Sequence, residues 1–431
     1  MNNKKAKERK PWLWIPTLYL AEGLPYVVVM TVSVLMYKRL EISNTEIALY
    51  TSWLYLPWVI KPFWSPVVDL LKTKRFWIII MQFFIGAALA GVAFTIPADN
   101  FFQYTLAFFW LMAFSSATHD IAADGFYMLG LEEHEQAFFV GIRATFYRIA
   151  FIAGQGLLVI LAGQIEESTG NIPYAWMITF FILAGLFVLF IIYHLFILPR
   201  PISDYKRSEV QLNKFFNEFI RTFVSFFKKK DILIILAFIL LYRFAEAQLA
   251  KMTIPFLVDT NEAGGLALTT SQVGIVYGTV GIIALSLGGI IGGIAAAKHG
   301  LKFWIWWMLI AINLPDLVYV YLSYAQTSSF ILINICIAIE QFGYGFGFTA
   351  FMLYLIFISE GEFKTAHFAI ATGFMALGMM LPGMISGWIQ EQFGYQNFFI
   401  WICFSTIPAF IITKFVRIDP LFGKKVVNQN E

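Results

Sequence analysis

The chain has 431 residues, of which 59% are hydrophobic, 18% aromatic and only 13% charged, with a formal net charge of +3. A soluble domain carries roughly a quarter of its residues as Asp, Glu, Lys and Arg, so this composition excludes a water-soluble fold and, with it, a nucleic-acid-binding protein. Lipid must solvate most of the surface, and the length divides into membrane spans of about 20 residues rather than into soluble domains.

Twelve apolar segments follow in chain order, at 12–36, 46–68, 76–96, 101–127, 137–162, 173–198, 231–258, 271–296, 302–324, 328–358, 365–390 and 396–416. Each predicts a helix, because hydrocarbon offers no partner to a free N–H or C=O and the alternation of a transmembrane barrel is absent. The first segment is too long for a signal peptide and has no small-residue cleavage site, so it reads as span 1. With the N-terminus in the cytoplasm, 23 of the 30 Lys and Arg lie on the cytoplasmic side, five lie inside spans, and only Lys38 and Arg39 lie outside. The positive-inside rule therefore puts both termini in the cytoplasm of a multi-pass inner-membrane protein. Cys336 and Cys403 sit within apolar runs and read as small core residues, not as a disulfide or a metal site.

The spans group as an N-terminal six-helix bundle (1–198), a basic linker (199–230) and a C-terminal bundle with its tail (231–431). The linker carries Arg200, Lys206, Arg207, Lys214, Arg221 and Lys228 to Lys230, with Leu212, Phe215, Phe216, Phe219 and Phe223 at helical spacing, and it predicts an amphipathic helix on the membrane surface. The halves repeat weakly. Ala21-Glu22 with Pro25 in span 1 corresponds to Ala245-Glu246 with Pro255 in span 7, and Lys74-Arg75-Phe76-Trp77 corresponds to Leu301-Lys302-Phe303-Trp304. Six spans per unit make the repeats parallel, related by a pseudo-two-fold along the membrane normal.

Ionisable residues inside spans cost at least about 2.5 kcal/mol each and point to function. Glu22 falls near the middle of span 1, where Gly23 and Pro25 predict an interruption of the helix toward a cavity. Asp120 and Asp124 share one face of span 4, and Arg143 on span 5 is the natural ion-pair partner of one of them. The pair either locks a cytoplasmic gate with Asp69 or includes the proton carrier, with His119 sharing the proton of Asp120. Arg148, deeper in span 5, suits a carboxylate or phosphate of the substrate, or else pairs with Glu22 or an Asp. Arg243 and Glu246 are three apart on span 7 and are expected to neutralise each other. Glu340 and Gln341 join Tyr26 on the expected path, whereas Gly343, Gly345 and Gly347 read as helix-packing residues. Lys251 is expected to snorkel to the outer surface.

The segments Glu22-Gly23-Leu24-Pro25-Tyr26, Pro57-Trp58-Val59-Ile60-Lys61-Pro62-Phe63-Trp64-Ser65-Pro66-Val67-Val68-Asp69 and Ala117-Thr118-His119-Asp120-Ile121-Ala122-Ala123-Asp124-Gly125 resemble the muropeptide permease (AmpG-like) branch of the major facilitator superfamily, which also includes acetyl-coenzyme A transporters. Ser65, Asp69, Lys72, Lys74 and Arg75 are similar to that superfamily's loop 2–3 signature, with Ser65 and Leu70 departing from it and Ala296 at the Asp position of the second half. The resemblance implies an all-α fold of twelve helices in two bundles, with spans 3, 6, 9 and 12 peripheral, and on that ground Asp316 of span 9 is set aside. It also implies proton-driven import of a cell-wall sugar–peptide.

The function expected is therefore secondary active transport by alternating access, with a small-molecule substrate, the lipid bilayer as surroundings, a monomer as the working unit and the proton gradient in place of a cofactor. Proton-antiport efflux of drugs or metabolites is the rival within transport. An intramembrane enzyme built on His119 and Asp120 lacks a nucleophile or metal-ligand set, and no Gly-Lys-Ser/Thr phosphate loop is present to bind ATP. A non-transporting receptor would not need polar residues in both halves.

Overall fold

The computed structural model describes residues 10–201, 204 and 220–424, and every regular element among them is a helix. Nine helical stretches among the described residues are long and apolar enough to cross a bilayer. The last, Lys364–Thr413, contains two spans, because Gly394 at φ 71° and ψ 166° turns the chain in its middle. Two further spans carry too many polar residues to be counted by hydropathy: span 2, built from Asn44–Trp53 and Leu56–Leu71, and span 4, Phe101–Gly130. That makes twelve. The remainder are span 1 (Pro11–Arg39), span 3 (Lys74–Thr95), span 5 (His134–Thr169), span 6 (Ile172–Ile197), span 7 (Ile232–Val258), span 8 (Thr270–His299), span 9 (Leu301–Ala325) and span 10 (Phe330–Ser359).

Local chemistry sets where the spans begin. Ser43, Thr73, Asn171, Thr269 and Ser329 each accept a hydrogen bond from a first-turn N–H of the helix that follows. Gly170, at φ 65°, closes span 5 in the left-handed conformation that a residue without Cβ adopts freely.

Contacts divide the chain into two compact units: Met1–Leu40 with Ile60–Glu218, and Glu41–Val59 with Phe219–Glu431. The first piece of span 2, Asn44–Trp53, thus groups with the second unit, and the helix breaks at Leu54 and Tyr55, close to that division. The first unit packs around Trp14, Leu18, Ile78, Phe126 and Phe139, and the second around Phe238, Tyr242, Met308, Phe351 and Tyr354. Most of the predicted amphipathic linker lies outside the described residues. Among its described residues, 220–227 are helical.

Helices in lipid gain little from the hydrophobic effect and associate where small residues let backbones touch. The span 10 glycines do this. A Cβ on Gly345 would lie 2.0 Å from the Leu285 carbonyl of span 8, and one on Gly343 would lie 2.2 Å from the Ala311 carbonyl of span 9. Gly347, one turn beyond Gly343, also faces span 9, at Met308 and Ile312.

Candidate functional site

Span 1 departs from expectation at Gly23 and Pro25. The helix runs from Ile15 through both residues and widens into one π turn at Val28–Val32. Proline removes one N–H and crowds the carbonyl four residues back; a wide turn absorbs that without opening a break. Gly23 serves packing instead, since a Cβ there would fall 2.7 Å from the Cβ of Ala150 on span 5. The interruption occurs in span 7. Ile232–Leu241 ends at Tyr242, and a second helix starts at Phe244 with Arg243 as its cap, which puts Glu246 in the first turn.

In the first unit, charged side chains from spans 2, 4 and 5 gather around Glu22 of span 1. Arg143 Nη1 lies 3.0 Å from Asp124 Oδ1. Tyr19 braces that pair: its hydroxyl donates to Asp124 Oδ1 at 3.3 Å and accepts from Arg143 Nη1 at 3.0 Å. The guanidinium also lies 4.9 Å from the ring centres of both Tyr19 and Tyr127. Asp120, one turn back, is paired with Lys61 of span 2. Glu22 is buried, and among the described residues it makes no hydrogen bond or ion pair; its charged neighbours are Asp124, Arg143 and Lys61. The five groups therefore form two matched pairs and one odd carboxyl.

Several sequence expectations are corrected here. Arg148 does not pair with Glu22. It is turned about 140° round span 5 from Arg143, has an exposed side chain and forms no ion pair among the described residues. His119 does not join Asp120: it is buried against Gln82 of span 3, whose Nε2 donates to His119 Nε2 at 3.0 Å. Gln82 Oε1 in turn accepts from His194 Nδ1 of span 6 at 3.0 Å, and His194 Nε2 meets Thr17 Oγ1 of span 1 at 3.0 Å. This chain of amide and imidazoles ties four spans together inside the bundle. Tyr26 is half-buried, its ring 5.9 Å from that of Phe151. The side chain of Asp69 lies outside the described residues.

The second unit is built differently. Arg243 does not bridge to Glu246. Its guanidinium bonds the Tyr344 hydroxyl and lies over the Tyr344 and Phe348 rings, 5.2 and 4.8 Å from their centres. Glu340 Oε2 accepts from the Tyr319 hydroxyl and from Gln341 Nε2, each at 3.0 Å. Asp316, set aside in the sequence reading, is 1% exposed and within electrostatic reach of Glu246 and Glu340. Lys251 does not snorkel: it is 4% exposed, donates to Thr51 Oγ1 at 3.0 Å and lies over the Tyr55 ring. At the loop 1–2 end of this unit, Asn44 Nδ2 donates to Gln390 Oε1 at 2.6 Å, and the Tyr395 hydroxyl donates to Asp259 Oδ2 at 2.6 Å. There the backbone of Gly387 lies so close to Asn44 that a Cβ would fall 2.0 Å from its carbonyl oxygen. Nothing in the sequence marks these cross-span partners beyond their being polar residues in or beside apolar runs.

A family model described as Major Facilitator Superfamily matches residues 17–358. The chain belongs to the major facilitator superfamily. Its relatives include a Rickettsia conorii protein carrying the name AmpG 4, 24% identical over 93% of this chain and 95% of that protein. An anhydromuropeptide permease of Escherichia coli K12 is 23% identical over 82% of this chain and 69% of its own length. Among solved structures, a D-xylose-proton symporter superposes with a TM-score of 0.69 at 13% identity, covering 96% of this chain and 99% of that one, and so shares the fold. The protein is a multi-pass membrane transporter of this superfamily and not an enzyme, as its sequence indicated.

Proposed function

We propose that this transporter imports an anionic sugar–peptide of muropeptide type together with protons, by alternating access, as a monomer with both termini in the cytoplasm. The observation that carries the reading is the odd carboxyl. Lys61 and Arg143 are taken by Asp120 and Asp124, so Glu22 is the group whose charge no cation of its cluster balances. A buried carboxyl in that position is neutral only when it holds a proton. Its proton is then the one that loading and release would move. The relatives named AmpG and anhydromuropeptide permease support the substrate class. Arg148, with no ion pair of its own among the described residues, supplies a planar cation for a substrate carboxylate, and Tyr26 an aromatic face for a sugar ring. The Arg143–Asp124 pair, with Asp69, serves as the inner gate.

The test is uptake of tritiated anhydromuropeptide by proteoliposomes with an acidic exterior. Accumulation above the external concentration that collapses on adding a protonophore is expected. Uptake indifferent to the gradient would remove the proton from the scheme. Substrate movement only out of the vesicles, against an inward proton flow, would replace import by antiport efflux.

A further inference from the structure

Three buried carboxyls of the second unit are separate groups from the Glu22 of the proposed coupling. Glu246 of span 7, Asp316 of span 9 and Glu340 of span 10 are 5%, 1% and 2% exposed. They come from three separate helices and lie within electrostatic reach of one another. The other titratable groups facing them are Arg243 on span 7, Tyr277 on span 8, Tyr319 on span 9, Tyr344 on span 10 and Cys403 on span 12. One of these is a fixed cation. Lys251, on the same helix as Glu246, is turned to Thr51.

Three ionised carboxylates against one guanidinium would leave two buried negative charges uncompensated, which protein interiors do not tolerate. Hydrogen bonding distinguishes the three. Two donors converge on Glu340 Oε2, a pattern that stabilises the charged form of that group. Glu246 and Asp316 receive no donor among the described residues, and Glu246 Oε2 and Asp316 Oδ1 are buried without any partner. No three acidic, imidazole or thiol groups among the described residues are spaced to hold a metal ion. The cation that fits is the proton.

We propose that Glu246, Asp316 and Glu340 form a proton-binding site of the C-terminal bundle, in which Glu340 carries the negative charge and Glu246 and Asp316 each hold a hydrogen. Net charge then closes over the cluster: one carboxylate is set against one guanidinium, which neighbours Glu246 and bonds the Tyr344 hydroxyl, and two neutral acids complete it. The site lies beside the break in span 7, so Glu246 is held in the first turn of a short helix rather than in the middle of a long one.

Infrared spectroscopy of the purified full-length protein tests this without any substrate, so the outcome is independent of the import reading. At pH 7, Glu246→Gln and Asp316→Asn should each remove one carboxyl's share of the absorption of protonated acids, the band that shifts in D2O, whereas Glu340→Gln should remove none. The amides match the neutral acids in shape and should fold. If either does not, Glu246→Asp and Asp316→Glu should keep the band and shift its frequency, and an unshifted band contradicts the assignment. An unchanged band in either amide variant, or a loss in Glu340→Gln, overturns it. So does a band that appears only after sodium is withdrawn, because a metal cation would then occupy the site.

Discussion

The two bundles share one architecture and solve the same electrostatic problem in opposite ways. The first answers its buried carboxylates with cations, Lys61 to Asp120 and Arg143 to Asp124, leaving Glu22 as a single remainder. The second sets one arginine beside three carboxyls, and among the described residues none of those carboxyls forms an ion pair; hydroxyl and amide donors serve Glu340 alone. Their backbones differ as well. Span 1 runs through Pro25 with a single wide turn, whereas span 7 breaks just before its glutamate. Halves whose sequences repeat weakly therefore keep the Ala-Glu pair, at Ala21-Glu22 and Ala245-Glu246, and give its carboxyl different surroundings. Charge pairing makes the first bundle sensitive to removal of a partner, and backbone contact makes the second sensitive to added volume.

The largest effect is expected from volume. Gly345→Ala places a methyl group where the Leu285 carbonyl stands 2.0 Å away, so spans 8 and 10 must separate. A loss of about 3 kcal/mol, read as a much lower unfolding midpoint in detergent, is expected; an unchanged midpoint would deny that backbone contact holds this bundle. Next comes charge in the first bundle. Lys61→Met strands Asp120 in a site where both side chains are about a quarter exposed. A cost of about 1–3 kcal/mol is expected, between surface and fully buried pairs, and adding Asp120→Asn should restore most of it. Failure of the second change to rescue the first would mean that the lysine acts through something other than this pair. The smallest effect belongs to Lys251, a buried amine served by one hydroxyl and one ring. Lys251→Met should gain about 1 kcal/mol, and a loss of that size would show that the amine stabilises the second bundle.

What the sequence revealed and what it concealed divide along physical lines. Apolar length and the need to satisfy every backbone group specify the spans, so all twelve were legible, with ends within about three residues except that of span 5, which continues to Thr169, past the expected 162, through the polar Glu166-Glu167-Ser168 turn. The Arg143 pairing was legible because two aspartates four apart present one face and a nearby arginine has few alternatives. The packing role of Gly343, Gly345 and Gly347 was legible from spacing. Partner choice across spans was not. Lys61 and Asp120, or Gln82 with His119 and His194, are far apart in the chain and meet only through tertiary packing. Asp316 was passed over because span 9 is peripheral as a helix, although one side of a peripheral helix still faces its bundle. The break in span 7 falls at Leu241-Tyr242-Arg243-Phe244, which holds neither Gly nor Pro, while the Gly23 and Pro25 pair that announced a break is absorbed in a continuous helix.

Proton coupling, as proposed, rests on the unpaired carboxyl of the first bundle, and Glu22→Gln tests it most directly. The amide keeps the size of the neutral acid and cannot release a proton. In proteoliposomes with anhydromuropeptide on both sides, the variant should exchange labelled for unlabelled substrate at close to the parental rate and should fail to accumulate substrate under a pH gradient. Accumulation against the concentration gradient by the Glu22→Gln protein would contradict the account and move the proton to another carboxyl, with Asp120→Asn the next variant to measure.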